Sequence, residues 1–147
     1  MTGLPDRAGI ARLVPHAGRM CLLDAVLDWQ PGAIRCAAAN HRDADHPLRT
    51  QSGLLASAAI EYAAQAAALH GALGSVPGSR KGGMLASARG VQCRRLRLDD
   101  LPGDLEIQAT QLAADAQQLL YGFSVRHDGE DVVTGRLAVV LGTEAAA

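Results

Sequence analysis

The stretch GLLASAAIEYAAQAAALHG, residues 53–71, decides the fold. Its run of Ala, Leu and Ile interrupted by few polar residues reads as one helix, and it is apolar on nearly every side. A helix of that kind lies inside a protein rather than on its surface. Nine alanines between Ala56 and Ala72 leave little side-chain bulk, so other backbones can approach closely. This is a helix to be wrapped by a sheet. Within it stands one carboxylate, Glu61, with Ser57 one turn back and Gln65 one turn on, a polar stripe on one face. An unpaired buried charge is costly, so Glu61 needs either a partner or a chemical task.

Outward from the helix, the chain alternates strand-like runs and turns. Residues 20–29, MCLLDAVLDW, form an apolar, partly alternating run that ends at Gln30-Pro31-Gly32, where Pro presets φ and Gly accepts φ > 0. Residues 33–39 read as its hairpin partner. Residues 40–52 are polar, with His41, His46, Arg42 and Arg49 among several Asp, and read as a loop of the kind that carries sites. After the Gly/Ser/Pro-rich link GALGSVPGSRKGG come four strand candidates, 84–98, 104–113, 117–127 and 132–141, separated by short turns. Short connections between successive strands imply an antiparallel meander. Periodicity alone therefore gives an α+β chain, 1–147, as a single domain with an antiparallel sheet.

The composition narrows the function. A net charge of −1 over 147 residues gives no basic excess for a nucleic-acid duplex. Trp29, Tyr62, Tyr121 and Phe123 are the only aromatics, too few for a stacking platform. Cys21, Cys36 and Cys93 are widely spaced and read as reduced thiols. Pro5 and Asp6 stand where a signal peptide would be apolar, and a soluble, cytoplasmic protein is expected. His41 and His46 share the segment HRDADH, but it has neither thiolates nor a helical frame, so no metal site is expected. Neither a phosphate loop nor a nucleophile elbow is present.

Three blocks together resemble the beta-hydroxyacyl-acyl-carrier-protein dehydratases. LVPHAGRMCLLDAVLDWQPG, residues 13–32, is similar to that family's amino-terminal block with its Pro-His pair. Residues 53–68 are similar to its helix, with Glu61 at the catalytic carboxylate and Gln65 at the glutamine that follows. LASARGVQCRRLRLDDLPGDLEIQATQL, residues 85–112, is similar to the strand, Pro-Gly-Asp turn and strand beyond. Where the family has Gly-His-Phe-Pro-Gly, this chain has NHRDADHPLRTQSG, with His46-Pro47 one residue out of register. That departure resembles the dehydratase-like proteins of aryl polyene biosynthesis.

The resemblance implies a hot-dog fold, in which a curved antiparallel sheet wraps one long helix. It implies dehydration of a 3-hydroxyacyl thioester to the 2-enoyl product, in fatty acid or polyene synthesis. The substrate would arrive on the phosphopantetheine arm of acyl carrier protein, with no further cofactor. It also implies a dimer, of identical or related hot-dog subunits, with histidine and carboxylate from different protomers. The reaction needs a base at C2, an acid at the leaving hydroxyl and donors for the enolate oxygen. Glu61 is the expected acid, and His46 or His16 the base. The helix N-terminus at residues 53–56, with Gly53 and Leu54, is expected to supply donors, and Gln65 to touch substrate.

A second reading stands beside each candidate. Glu61 pairs with Arg89 or Arg95 if it is structural. Gln65 holds backbone or dimer contacts, His46 is a solvated loop residue, and His16 a cap. His70 lies on the opposite side of the helix from Glu61, and His127 borders a turn. Arg94, Arg95 and Arg97, with Arg80 and Lys81, form either a docking patch for acidic acyl carrier protein or the wet face of a strand. For the whole chain the rivals are a non-catalytic subunit paired with an active paralogue and a hot-dog thioesterase.

Overall fold

The computed structural model describes residues 3–13, 18–74 and 83–141. A short helix α1 (Arg7–Leu13) opens the chain, capped by Asp6, whose Oδ1 accepts the Gly9 N–H at 3.1 Å. Strands β1 (Ala25–Gln30) and β2 (Ala33–Ala38) form the expected hairpin. The long helix α2 (Ala59–Leu73) follows, and then β3 (Gly83–Cys93), β4 (Leu105–Ala114), β5 (Gln118–His127) and β6 (Glu130–Leu141). The strands make one antiparallel sheet in the order β1-β2-β4-β5-β6-β3. β3 crosses to pair with β6, which puts β1 and β3 at the two edges.

Alternation assigns the sheet two faces. Ile34 and Cys36 of β2, Leu105, Ile107 and Ala109 of β4, Tyr121, Phe123 and Val125 of β5, and Leu137 of β6 are buried on the inner face. Against them lies α2, with Ala59, Tyr62, Ala63, Ala66, Ala67 and Leu69 buried. Small residues let the sheet close around the helix, and register shifts in β1, β3, β4 and at the β5–β6 pairing add the local twist that curves it. This is the expected hot-dog arrangement.

Three boundaries differ from the sequence reading, each because backbone groups find other partners. The first strand begins at Ala25 rather than residue 20, because Met20 and Leu22 bond to the Gln65 side chain instead of a neighbouring strand. The helix begins with a 3-10 turn at Ala56–Ala58, and Gly53 precedes it in the left-handed region at φ 98°. The strand expected over 84–98 ends at Cys93, and Arg97 then pairs with Leu55 in a separate bridge. Helix α1 has no counterpart in that reading; its signal was Asp6 as a cap followed by Ile10, which is fully buried.

The tight wrap makes a prediction about volume. Ala66 is fully buried and Ala68, two residues on, is exposed. Ala66→Leu should lower stability by about 1–3 kcal/mol through overpacking, whereas Ala68→Leu should stay within about 0.5 kcal/mol of wild type. Urea unfolding of both variants measures the difference.

Candidate active site

Glu61 lies in the first turn of α2 and is half-buried. Gln65 is buried one turn on, and its amide is fully committed. Oε1 accepts the Leu22 N–H at 2.9 Å, and Nε2 donates to the Met20 carbonyl at 2.7 Å. The same Nε2 lies 3.4 Å from Glu61 Oε2. Gln65 thus fastens the segment before β1 to the helix face that carries Glu61. His16 falls outside the described residues, but Gly18–Met20 lie just beyond it in sequence and are held beside this face by Gln65.

The loop after β2 is more ordered than its polarity suggested. His46 is only 5 % exposed. Its Nδ1 accepts the Leu48 N–H at 3.0 Å, which fixes the neutral ring's proton on Nε2. Nε2 then donates to the Tyr62 hydroxyl at 2.9 Å, and Tyr62 donates to Asn40 Oδ1 at 2.6 Å. Every hydrogen-bonding site of the ring is used, and burial pushes its pKa below the ordinary 6.5. In this arrangement the neutral His46 ring offers no open lone pair for a substrate proton. It is not a solvated loop histidine either. His41 is fully buried, donates from Nε2 to the Leu101 carbonyl at 2.8 Å, and leaves Nδ1 without a hydrogen-bond partner. Its pKa is lowered chiefly by burial.

Three of the four donors expected at residues 53–56 are already spent. Gly53 N–H bonds to the Thr50 carbonyl at 3.0 Å, Leu54 N–H to Asp99 Oδ1 at 3.0 Å, and Ala56 N–H to the Leu96 carbonyl at 2.9 Å. Gly53 and Leu54 therefore form a strap across the helix entrance, not a helix N-terminus. Asp99 is its anchor: Arg97 grips the carboxylate with two bonds, at 3.0 and 2.6 Å, and Arg49 stands 3.4 Å away. Arg97, then the Leu54 N–H, hold Asp99 well below the usual carboxylate range against the opposing effect of burial. A Cβ on Gly53 would fall 2.6 Å from Asp99 Oδ1, so only glycine fits. Arg97 is thus neutralised, while Arg94 and Arg95 are exposed. Arg80 and Lys81 lie outside the described residues.

Other polar residues serve the frame. His70 is buried at the far end of α2, bonding from Nε2 to the Gln30 carbonyl at 2.9 Å and accepting from the Tyr121 hydroxyl at 2.7 Å. Asp24, which was not among the candidates, takes Arg7 at 2.8 Å and the Ala39 N–H at 2.8 Å. These two charges border a hollow of about 280 Å³ with Asn40, Asp43 and His46. Among the described residues no three His, Cys, Asp or Glu side chains group as metal ligands. No described helix is long and apolar enough to cross a membrane.

The two buried loop histidines predict an acid-sensitive fold. Their folded-state pKa values lie below the ordinary 6.5, so an unfolded chain binds protons that the folded chain resists. Their contribution is intact above about pH 6.5 and is lost as pH falls through that value. The urea midpoint should drop between pH 7 and pH 5, and His46→Asn should flatten the drop; an unchanged slope would remove His46 from the account.

Comparison with known proteins follows the same lines. Residues 8–147 match the family model of the ApeP-like dehydratases. A search of curated proteins finds no match. Among solved structures, the dehydratase heterocomplex ApeI:P from Xenorhabdus doucetiae contains a chain 26 % identical to this one. It superposes with a TM-score of 0.81, over 92 % of this chain and 91 % of that one. A thioesterase from Haemophilus influenzae shares the fold at 13 % identity and a TM-score of 0.67, over 93 % and 90 % of the two chains. A thioesterase from Pseudomonas aeruginosa does so at 14 % identity and 0.62, over 80 % and 79 %. With a match that runs from α1 to the last residue, the chain belongs to the ApeP-like dehydratase family.

Proposed function

We propose that this chain is one subunit of a two-chain dehydratase acting on 3-hydroxyacyl thioesters, and that it contributes Glu61 as the acid. The observation that carries this reading is the contrast along one helix. Tyr62, Gln65 and His70 are buried and bound to their own chain, while Glu61 alone of the four is partly open. The base is a histidine from the second subunit or His16 of this chain, since His46 has both nitrogens engaged. A half-buried carboxyl beside an apolar acyl chain delivers a proton to the departing 3-hydroxyl, as the base removes the C2 proton.

A second subunit also fits the edges of the sheet. Among the described residues β3 pairs on one side, with β6, and its eleven residues leave a long row of backbone groups open. Leu85 on that strand, Leu96 just beyond it and Leu55 on the strap are exposed, Leu96 to 88 %. A related hot-dog subunit adding its own edge strand there would satisfy the backbone and cover these leucines. The ApeI:P heterocomplex supports a related subunit over an identical one. Acyl carrier protein would dock through Arg94 and Arg95, with Arg97 serving the strap instead.

The test follows 2-enoyl product from a 3-hydroxyacyl thioester on acyl carrier protein. This chain is assayed alone and co-purified with a related hot-dog subunit. Turnover is expected in the pair and should fall at least about 100-fold in Glu61→Gln, the scale of a lost general acid. Full activity of that variant would end the proposal for Glu61, and equal activity of the isolated chain would end the requirement for a second subunit.

A further inference from the structure

The outer face of the sheet, turned away from α2, carries a feature that dehydration does not use. Arg89 of β3 and Arg136 of β6 are directly opposite each other in the ladder. Cross-strand partners share a face with Cα atoms roughly 4.5–5.5 Å apart, and like charges in that relation destabilise a sheet. Such a pair is normally relieved by a carboxylate. Here none lines the hollow that both arginines border, a depression of about 640 Å³ floored by Gly122 and Gly135. Glu106 of β4 is engaged elsewhere, with Arg35 at 3.6 Å and Gln108 at 2.7 Å, and so is Asp131 of β6, with Arg126 at 3.0 Å. Arg89 and Arg136 enter no ion pair or side-chain hydrogen bond with a described residue.

Apart from the two arginines, the lining of the hollow is neutral and includes Gln92, Thr110, Ser124 and Thr134 as possible donors. Two planar cations bordering one hollow with hydroxyl and amide donors match a multiply charged oxyanion better than a single carboxylate, because each guanidinium can take two oxygens at once. We propose that the outer face binds a small phosphorylated ligand through Arg89 and Arg136. Its source is either a free polyphosphate anion or the phosphate tail of a nucleotide, which present the same oxygens.

Calorimetric titration of the full-length protein with inorganic pyrophosphate, at ionic strength fixed with sodium chloride, tests this. One saturable site is expected in wild type and in Arg12→Gln, with affinity at least tenfold weaker in Arg89→Gln and in Arg136→Gln. Thermal melting supplies the second readout. Without anion, Arg136→Gln should melt higher than wild type, since the repulsion is gone; with pyrophosphate the order should reverse. Adenosine diphosphate in place of pyrophosphate identifies the source, tenfold tighter for a nucleotide and equal for the free anion. No saturable heat in wild type, or undiminished binding in both arginine variants, overturns the proposal.

Discussion

A helix buried on nearly all sides has no water to satisfy the polar atoms it carries, and the rest of this structure follows from that constraint. An unmatched buried polar group costs roughly 1–3 kcal/mol, so each one on α2 must be met by a specific partner. Tyr62 is met by His46 and Asn40 of the loop after β2. Gln65 is met by the backbone of Met20 and Leu22, ahead of β1. His70 is met by Gln30 at the end of β1 and by Tyr121 of β5. Hydrophobic burial holds the helix in the sheet without direction; these three side chains choose its rotation and depth. They also draw the N-terminal segment, the loop and the hairpin into one register around Glu61.

A second polar node does for the helix entrance what those three do for its body. The chain must turn sharply from the loop into α2, and Gly53 makes the turn at a positive φ. Asp99 then accepts the Leu54 N–H with one oxygen while two arginines hold its charge. The side chain is 4 % exposed, so this ion pair is shielded on one side and solvated at Arg97 on the other. That asymmetry matters: a carboxylate with a backbone donor and a bidentate guanidinium is satisfied in a way that a lone buried pair is not. The strap it fixes carries Leu55 outward, beside Leu96, on the side of the molecule where β3 ends.

How far the sequence could be read depended on whether a residue's role is local. The apolar helix, the Pro-Gly hairpin and the meander were legible because period and turn chemistry are local properties. The role of His46 was not, because its ring is defined by Tyr62, sixteen positions on, a residue that looks like plain core in an alanine-rich helix. Gly53 and Leu54 resembled a helix start, yet their amides are consumed by Thr50 and by Asp99, and the latter lies 45 residues downstream. For Arg97 a signal did exist. In RLRLDD, Arg97 and Asp99 stand two apart, which in an extended chain puts them on one face, and that spacing foretold a pair rather than a free charge.

The distribution of satisfied and unsatisfied groups says where this chain is finished and where it is not. Its interior is closed: among the described residues the buried side-chain atoms lacking a hydrogen bond reduce to His41 Nδ1 and Arg126 Nε, and the latter sits 3.0 Å from Asp131. Its open valences gather in two places instead. One is the β3 edge with Leu85, Leu96 and Leu55, whose chemistry is backbone pairing and apolar contact, and asks for a protein. The other is the Arg89–Arg136 pair on the outer face, whose chemistry is charge, and asks for an anion. Arg89 belongs to both, since it rides on the edge strand while its side chain borders the outer hollow. A subunit docked along β3 would therefore stiffen the strand that positions one of the two guanidinium groups. Occupancy of the outer hollow would in turn relieve the repulsion that works against the β3–β6 ladder. If both proposed ligands bind, their effects meet in this one strand, and each would then favour the other.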